Sequence, residues 1–204
     1  MNAIDLKGKL IVFEGIDSSG KSTQMGLLAD RLRNAGLQVV TTREPGGTPI
    51  AESVRAILLE RQHSALQPLS ELLLFMVSRA QNTEEVIRPA LRAGKTVVAS
   101  RYRMSSLTYQ GYGRGIDLAL IRKLNDAVTS GQQPDVTFLV DLPAEVAVAR
   151  KAENDRIEQE SIDFHRRVRA GYLELAEKDP TVYIVDGTES VEAVAEAVAK
   201  RLEL

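Results

Sequence analysis

Nine consecutive residues, Gly15-Ile16-Asp17-Ser18-Ser19-Gly20-Lys21-Ser22-Thr23, constrain this chain more than any other feature. They follow the apolar run Leu10-Ile11-Val12-Phe13 and precede a helical pattern. That strand, loop and helix context is the one a phosphate-cradling loop needs. Gly15 and Gly20 let the backbone turn tightly with its N–H groups inward, and the next helix opens with unpaired donors and a positive dipole end. A polyphosphate is the expected guest. Lys21 is placed to reach the β- and γ-phosphates, and Ser22 to ligate the Mg²⁺ that travels with a nucleotide.

The bulk of the chain fits a compact enzyme. Its 204 residues, 44% apolar and 26% charged, suit a single domain spanning 1–204. A net charge of −2 provides no basic field for a nucleic acid polymer, so anion binding must be local. Without cysteine there is no disulfide framework or thiolate zinc site, and His63 and His165 are too few for a histidine cluster. The first residues lack a basic segment followed by an apolar one, and no run approaches eighteen apolar residues. A cytoplasmic protein without membrane partners is expected.

Short β-branched runs alternate with segments of helical period, which predicts an α/β fold with a parallel sheet covered on both faces. Strands are expected at 9–13, 38–42, 95–99, 136–141 and 182–185. Met25, Leu28, Ala29 and Leu32 mark the inner face of a first helix. Val191, Val194, Ala195, Val198 and Leu202 mark that of the last. Gly36 and Gly94 are read as helix ends. Residues 69–93 read as a long helix, apolar through Leu72, Leu73, Phe75 and Met76 and broken or bent before Pro89.

In such sheets ligands gather beyond the carboxyl ends of the strands. Glu14, Asp17, Arg43, Glu44, Arg101 and Asp141 all fall there. Arginine grips phosphate at two points, so Arg43 and Arg101 predict a second phosphate site facing the first. A switch protein has no use for that site, and the chain lacks an Asn-Lys-x-Asp segment for reading guanine. Arg150, Lys151 and Arg156 lie in a polar stretch between helical patterns, expected to be a short lid over residues 150–158.

These residues resemble the bacterial thymidylate kinases across nearly the whole chain. The resemblance rests on Phe13 to Gln24, on Arg43-Glu44-Pro45-Gly46-Gly47-Thr48, and on Leu73-Leu74-Phe75 with Arg79. It extends to Arg101-Tyr102, Ser105-Ser106, Tyr109-Gln110-Gly111, Pro134-Asp135 leading to Asp141, and Asp155-Arg156-Ile157-Glu158. It implies a three-layer P-loop NTPase fold with a five-stranded parallel sheet, and transfer of the ATP γ-phosphoryl to dTMP in a homodimer.

The resemblance also implies roles. Residues Gly15 to Thr23 would bind ATP, with Ser22 and Asp17 near the metal. Phe75 would stack on thymine and Arg79 would hydrogen-bond the base and help to bind the monophosphate. Arg101 would hold the acceptor phosphate with Arg43 in support, and Asp17 would accept from the sugar 3′-OH. Tyr109 would favour deoxyribose, and Ser106 and Gln110 would complete the nucleoside pocket. Lys21, Arg101, Arg150 and Arg156 would neutralise charge during transfer. Where the family has an acidic residue before Arg101 there is Ser100, so Glu14 or Asp17 is expected to compensate. A kinase for another nucleoside acceptor and a non-catalytic nucleotide-binding protein are the alternatives left open.

Overall fold

Each of the five expected β-branched runs forms a strand within a residue of its predicted position in the computed structural model, which describes residues 6–150 and 155–204. The strands are β1 Leu10–Glu14, β2 Val39–Arg43, β3 Thr96–Ser100, β4 Val136–Asp141 and β5 Val182–Asp186. All pair in parallel in the order β2-β3-β1-β4-β5. β1 and β3 are buried along their full length, which is why they read as unbroken apolar runs rather than alternating ones.

The helices are α1 Lys21–Asn34, α2 Pro49–Leu59, α3 Pro68–Asn82, α4 Arg88–Arg92, α5 Arg103–Ser106, α6 Leu118–Thr129, α7 Ala144–Ala149, α8 Ile162–Glu177 and α9 Val191–Arg201. α1 and α9 cover one face of the sheet, where Leu28, Leu32, Val194 and Val198 pack on Ile11, Phe13 and Phe138. On the other face Ile87 and Ala90 pack on Leu10, Val12 and Val97. Phe164, Val168 and Tyr172 of α8 pack there on Leu139. The sheet thus lies between two helical layers, as expected. No helix among the described residues is long and apolar enough to cross a membrane.

The long helical region departs from its expected form before Pro89. Proline has no N–H to donate one turn back, and the chain accommodates it by widening Thr83–Ile87 into a π turn that joins α3 to α4 without a break. Two apolar assignments also change. Leu73 is 46% exposed, because α3 buries Leu72 and Met76 and turns Leu73 outward with Leu69 and Val77. Val191 is likewise exposed, being the first residue of α9. Gly36 and Gly94 end their helices with φ of 87° and 71°, a left-handed turn that glycine adopts without strain.

A phosphate loop facing a chamber of arginines

The carboxyl ends of β1, β2 and β3 converge on one continuous pocket. Its floor is the loop after β1. Gly15 turns at φ 141°, and a side chain there would come within 2.5 Å of the Val140 carbonyl, so the position requires glycine. Gly20 precedes α1 at φ 96°, and no side chain caps the helix. Its first N–H groups therefore remain available to an anion.

Lys21 lies buried beneath this loop and donates to the Ile16 carbonyl and, at 3.3 Å, to Ser19 Oγ. Burial and the neighbouring Arg101 guanidinium bring its ammonium down to about 7, against the opposing pull of Asp17 and Glu14. Ser22 lines both the main pocket and an adjoining opening edged by Gly20, Thr23 and Arg150. Ile16 contributes only backbone, since its side chain packs in the core with Tyr109.

Arg101 is held at φ 68°, a left-handed conformation that few non-glycine residues adopt, directly beyond β3. That turn aims its guanidinium back over the loop, where it donates to the Gly15 carbonyl at 3.0 Å, to Tyr109 Oη at 3.1 Å and to Asp17. Tyr109 Oη in turn donates to Asp17 Oδ2 at 2.7 Å. Burial works against ionisation of Asp17, but Arg101 and Lys21 outweigh it and hold the carboxyl well below the usual range. Asp17, Tyr109 and Arg101 form one pre-built unit.

The opposite wall carries Arg43, which pairs with Glu52 at 3.1 Å, and Arg55, which donates to the Pro45 carbonyl at 3.0 Å. Arg55 was not anticipated from sequence. It lies on α2, three residues after Glu52, and only the turn at Pro45 to Thr48 aims that helix back at the pocket. Phe75, Ser106, Tyr109 and Gln110 close the far end. The last two sit on a π turn, Leu107–Gly113, a local distortion that redirects side chains at functional sites.

Four sequence-derived assignments need correction in position. Arg79 is 1% exposed and does not line the pocket. Each guanidinium nitrogen is engaged: with Glu44 at 2.7 Å, with Ser106 at 2.8 Å and Asn125 at 2.6 Å, and with the Tyr102 carbonyl at 2.7 Å. Its link to the chamber runs through Ser106. Arg156 is also buried, donating from Nε to the Leu58 carbonyl at 3.0 Å and meeting Glu71 at 2.8 Å, and it lines neither the main pocket nor the adjoining opening.

Glu14 cannot stand in for the acidic residue replaced by Ser100. It accepts from Tyr102 N, Ser105 N, Ser105 Oγ and Tyr172 Oη at 2.6 to 3.2 Å and is 1% exposed, so its lone pairs are committed to bracing the β3–α5 turn. Asp141 is taken by Arg169 in a two-point pair at 2.8 Å. Of the expected lid, residues 151–154, including Lys151, lie outside the described residues.

No group of three metal-binding His, Cys, Asp or Glu occurs among the described residues. The oxygens at the loop, the Ser22 hydroxyl and the Asp17 carboxylate, fit a hard cation that keeps most of its waters and arrives with phosphate. They do not form a cage for a resident ion. The whole arrangement can hold two anions facing each other across one cavity, with arginines between them.

The thymidylate kinase family model matches residues 13–198. The thymidylate kinase of Kosmotoga olearia is 49% identical over 198 residues, covering 95% of each chain. That of Geotalea uraniireducens is 46% identical, covering 96% of this chain and 98% of its own. The crystal structure of the Ehrlichia chaffeensis thymidylate kinase superposes with a TM-score of 0.81 at 36% identity, over 97% of this chain and all of its own. A family model matched over residues 13–198 and relatives 46% and 49% identical over nearly the whole chain show that the chain belongs to the thymidylate kinase family.

Proposed function

We propose that the chain transfers the γ-phosphoryl group of ATP to dTMP, giving ADP and dTDP. The observation that carries this reading is the single cavity running from Lys21 and Ser22, past Arg101, Arg43 and Arg55, to Phe75 and Gln110. Polyphosphate enters at the loop and the open N-terminus of α1, where Lys21 and backbone N–H groups draw charge from it. The acceptor phosphate is gripped by Arg101, with Arg43 and Arg55 supporting. Its oxygen is already ionised and needs no general base, so the protein's work is alignment and charge neutralisation. Ser22 and Asp17 are the residues that would hold Mg²⁺, which supplies neutralisation of the transferring phosphates.

Phe75 offers a flat apolar surface for the base. Tyr109, fixed by Asp17 and Arg101, is on this reading the residue beside the sugar that favours deoxyribose. Arg150, which donates to the Gly187 carbonyl at 3.1 Å beside the phosphate loop, is the lid arginine placed to meet ATP. The chain acts as one cytoplasmic catalytic domain. ATP and dTMP are its partners, and nucleic acid polymers are not.

The test is a turnover panel of dTMP, dUMP, UMP, dCMP, dGMP and thymidine with ATP and Mg²⁺. Formation of dTDP above all other products is expected. Binding of ATP and dTMP without dTDP would establish the non-catalytic alternative.

A homodimer is part of the same proposal. α2 and α3 pack side by side and leave Ile50, Ile57, Leu69, Leu73 and Val77 exposed, a set of large apolar side chains on two neighbouring helices. Sedimentation should return twice the 22.4 kDa chain mass, and Leu73→Glu should return the single mass. A monomeric wild type would refute the assembly.

A further inference from the structure

Glu71 lies one helical turn before Phe75 on α3 and is 1% exposed. Its Oε1 accepts from Gln110 Nε2 at 2.8 Å and Arg114 Nε at 3.2 Å. Its Oε2 accepts from Arg114 Nη2 at 3.1 Å and meets Arg156 Nη2 at 2.8 Å. Burial opposes its ionisation. The hydrogen bonds from Arg114 and Gln110, with the charges of Arg114 and Arg156, prevail and hold the carboxyl below its ordinary value.

An ionised carboxylate only accepts, so the end of an amide that meets it must be the NH₂ end. An isolated glutamine can present either end to a ligand, at little difference in energy. Here the choice is made: Gln110 turns Nε2 to Glu71, leaving Oε1 without a partner among the described residues, at the wall of the nucleoside chamber. Arg114 and Arg156 prevent Glu71 from turning away, and Arg114 is itself fixed by Glu160 at 2.5 Å.

We propose that Glu71 is a positioning residue that fixes the amide of Gln110 so that its carbonyl oxygen, and not its NH₂ group, meets the base. A carbonyl acceptor matches a pyrimidine whose ring N3 carries hydrogen, as thymine and uracil do. It opposes cytosine, whose N3 is itself a bare acceptor. The inference rests on the acceptor reading above and adds to it the group that selects the imide edge. Arg156, bound to Glu71, thereby acquires a role in holding the selector in place.

The experiment compares kcat/KM for dTMP and dCMP in the wild type and in Glu71→Gln, whose neutral amide can donate as well as accept. Gln110 is then free to flip. The dTMP to dCMP ratio is expected to fall about tenfold or more, the scale on which an unmatched buried polar group is rejected. Equal losses for both substrates, with the ratio within threefold of wild type, would show that Glu71 only supports the fold and would overturn the inference. If Glu71→Gln does not fold, Gln110→Met decides the matter. A collapsed ratio supports the carbonyl's role and a retained ratio overturns it. A wild type that phosphorylates dTMP yet passes neither test defeats this inference alone, whereas one without dTMP turnover defeats the proposed function as well.

Discussion

Replacing Lys21 by alanine should lower kcat by about 10² to 10³ with the fold intact, the scale set by removing one preorganised donor from a developing charge. Lys21 is buried beneath the loop and hydrogen-bonds only Ile16 and Ser19 among the described residues, and when it is removed Arg101 remains to compensate Asp17 and Glu14. Its electrostatic position gives a second signature. With the ammonium brought down to about 7, a substantial fraction is neutral at pH 7 to 8. Polyphosphate raises it again, so above pH 7 binding takes up a proton and affinity falls as pH rises, by up to tenfold per unit. Calorimetry of ATP binding in buffers of different ionisation enthalpy reads this directly. The expected uptake disappears in Lys21→Ala; an uptake unchanged by that substitution would assign the proton to another group.

The second large effect is on stability. Arg79→Met should destabilise the protein by about 3 to 5 kcal/mol, as removing one member of a buried pair does, and lower Tm by roughly 10 °C. Burial pushes the Glu44 carboxyl up, with Arg79 pulling the other way, so without Arg79 the acid is left in the core with only Asn82 beside it. The Ser106, Asn125 and Tyr102 acceptors lose their donor at the same time. Glu44→Gln added to Arg79→Met should cost less than the two changes summed, because the pair is coupled. Thermal and urea unfolding check both statements, and a loss below about 1 kcal/mol would place Arg79 outside the structural network.

The contrast between Lys21 and Arg79 shows where sequence reading reaches. The role of Lys21 follows from contiguous residues, because the loop's glycines, the strand before it and the helix after it are local in the chain. The strands were legible for the same reason: buried parallel strands are continuous β-branched runs, and all five fall within one residue of expectation. Arg79 and Phe75 do lie on one helix, as their spacing requires, yet only Phe75 lines the chamber. Helical spacing gives relative position on a cylinder, and packing decides which way the cylinder faces. Leu73 was misassigned through that same gap.

Charges beyond strand ends are site candidates by position alone, and several of them, like Arg156 of the expected lid, are committed to partners inside the fold. Glu14 is saturated by donors from residues 102, 105 and 172, and Asp141 by Arg169. Arg156 is bound to residues 58 and 71. Nothing near these residues in the chain announces such partners, since each lies dozens of positions away.

The sequence by itself determined that there is a phosphate loop, a parallel sheet around it and a second set of arginines facing it, because strand runs, glycine turns and helix periods are set by neighbours in the chain. Only the tertiary structure decided the strand order β2-β3-β1-β4-β5, and with it which charges meet. It spent Glu14, Arg79 and Arg156 on internal partners, brought in Arg55, and placed Glu71 against Gln110. A buried charge must find its partner wherever the fold supplies one, and that partner is chosen by proximity in space.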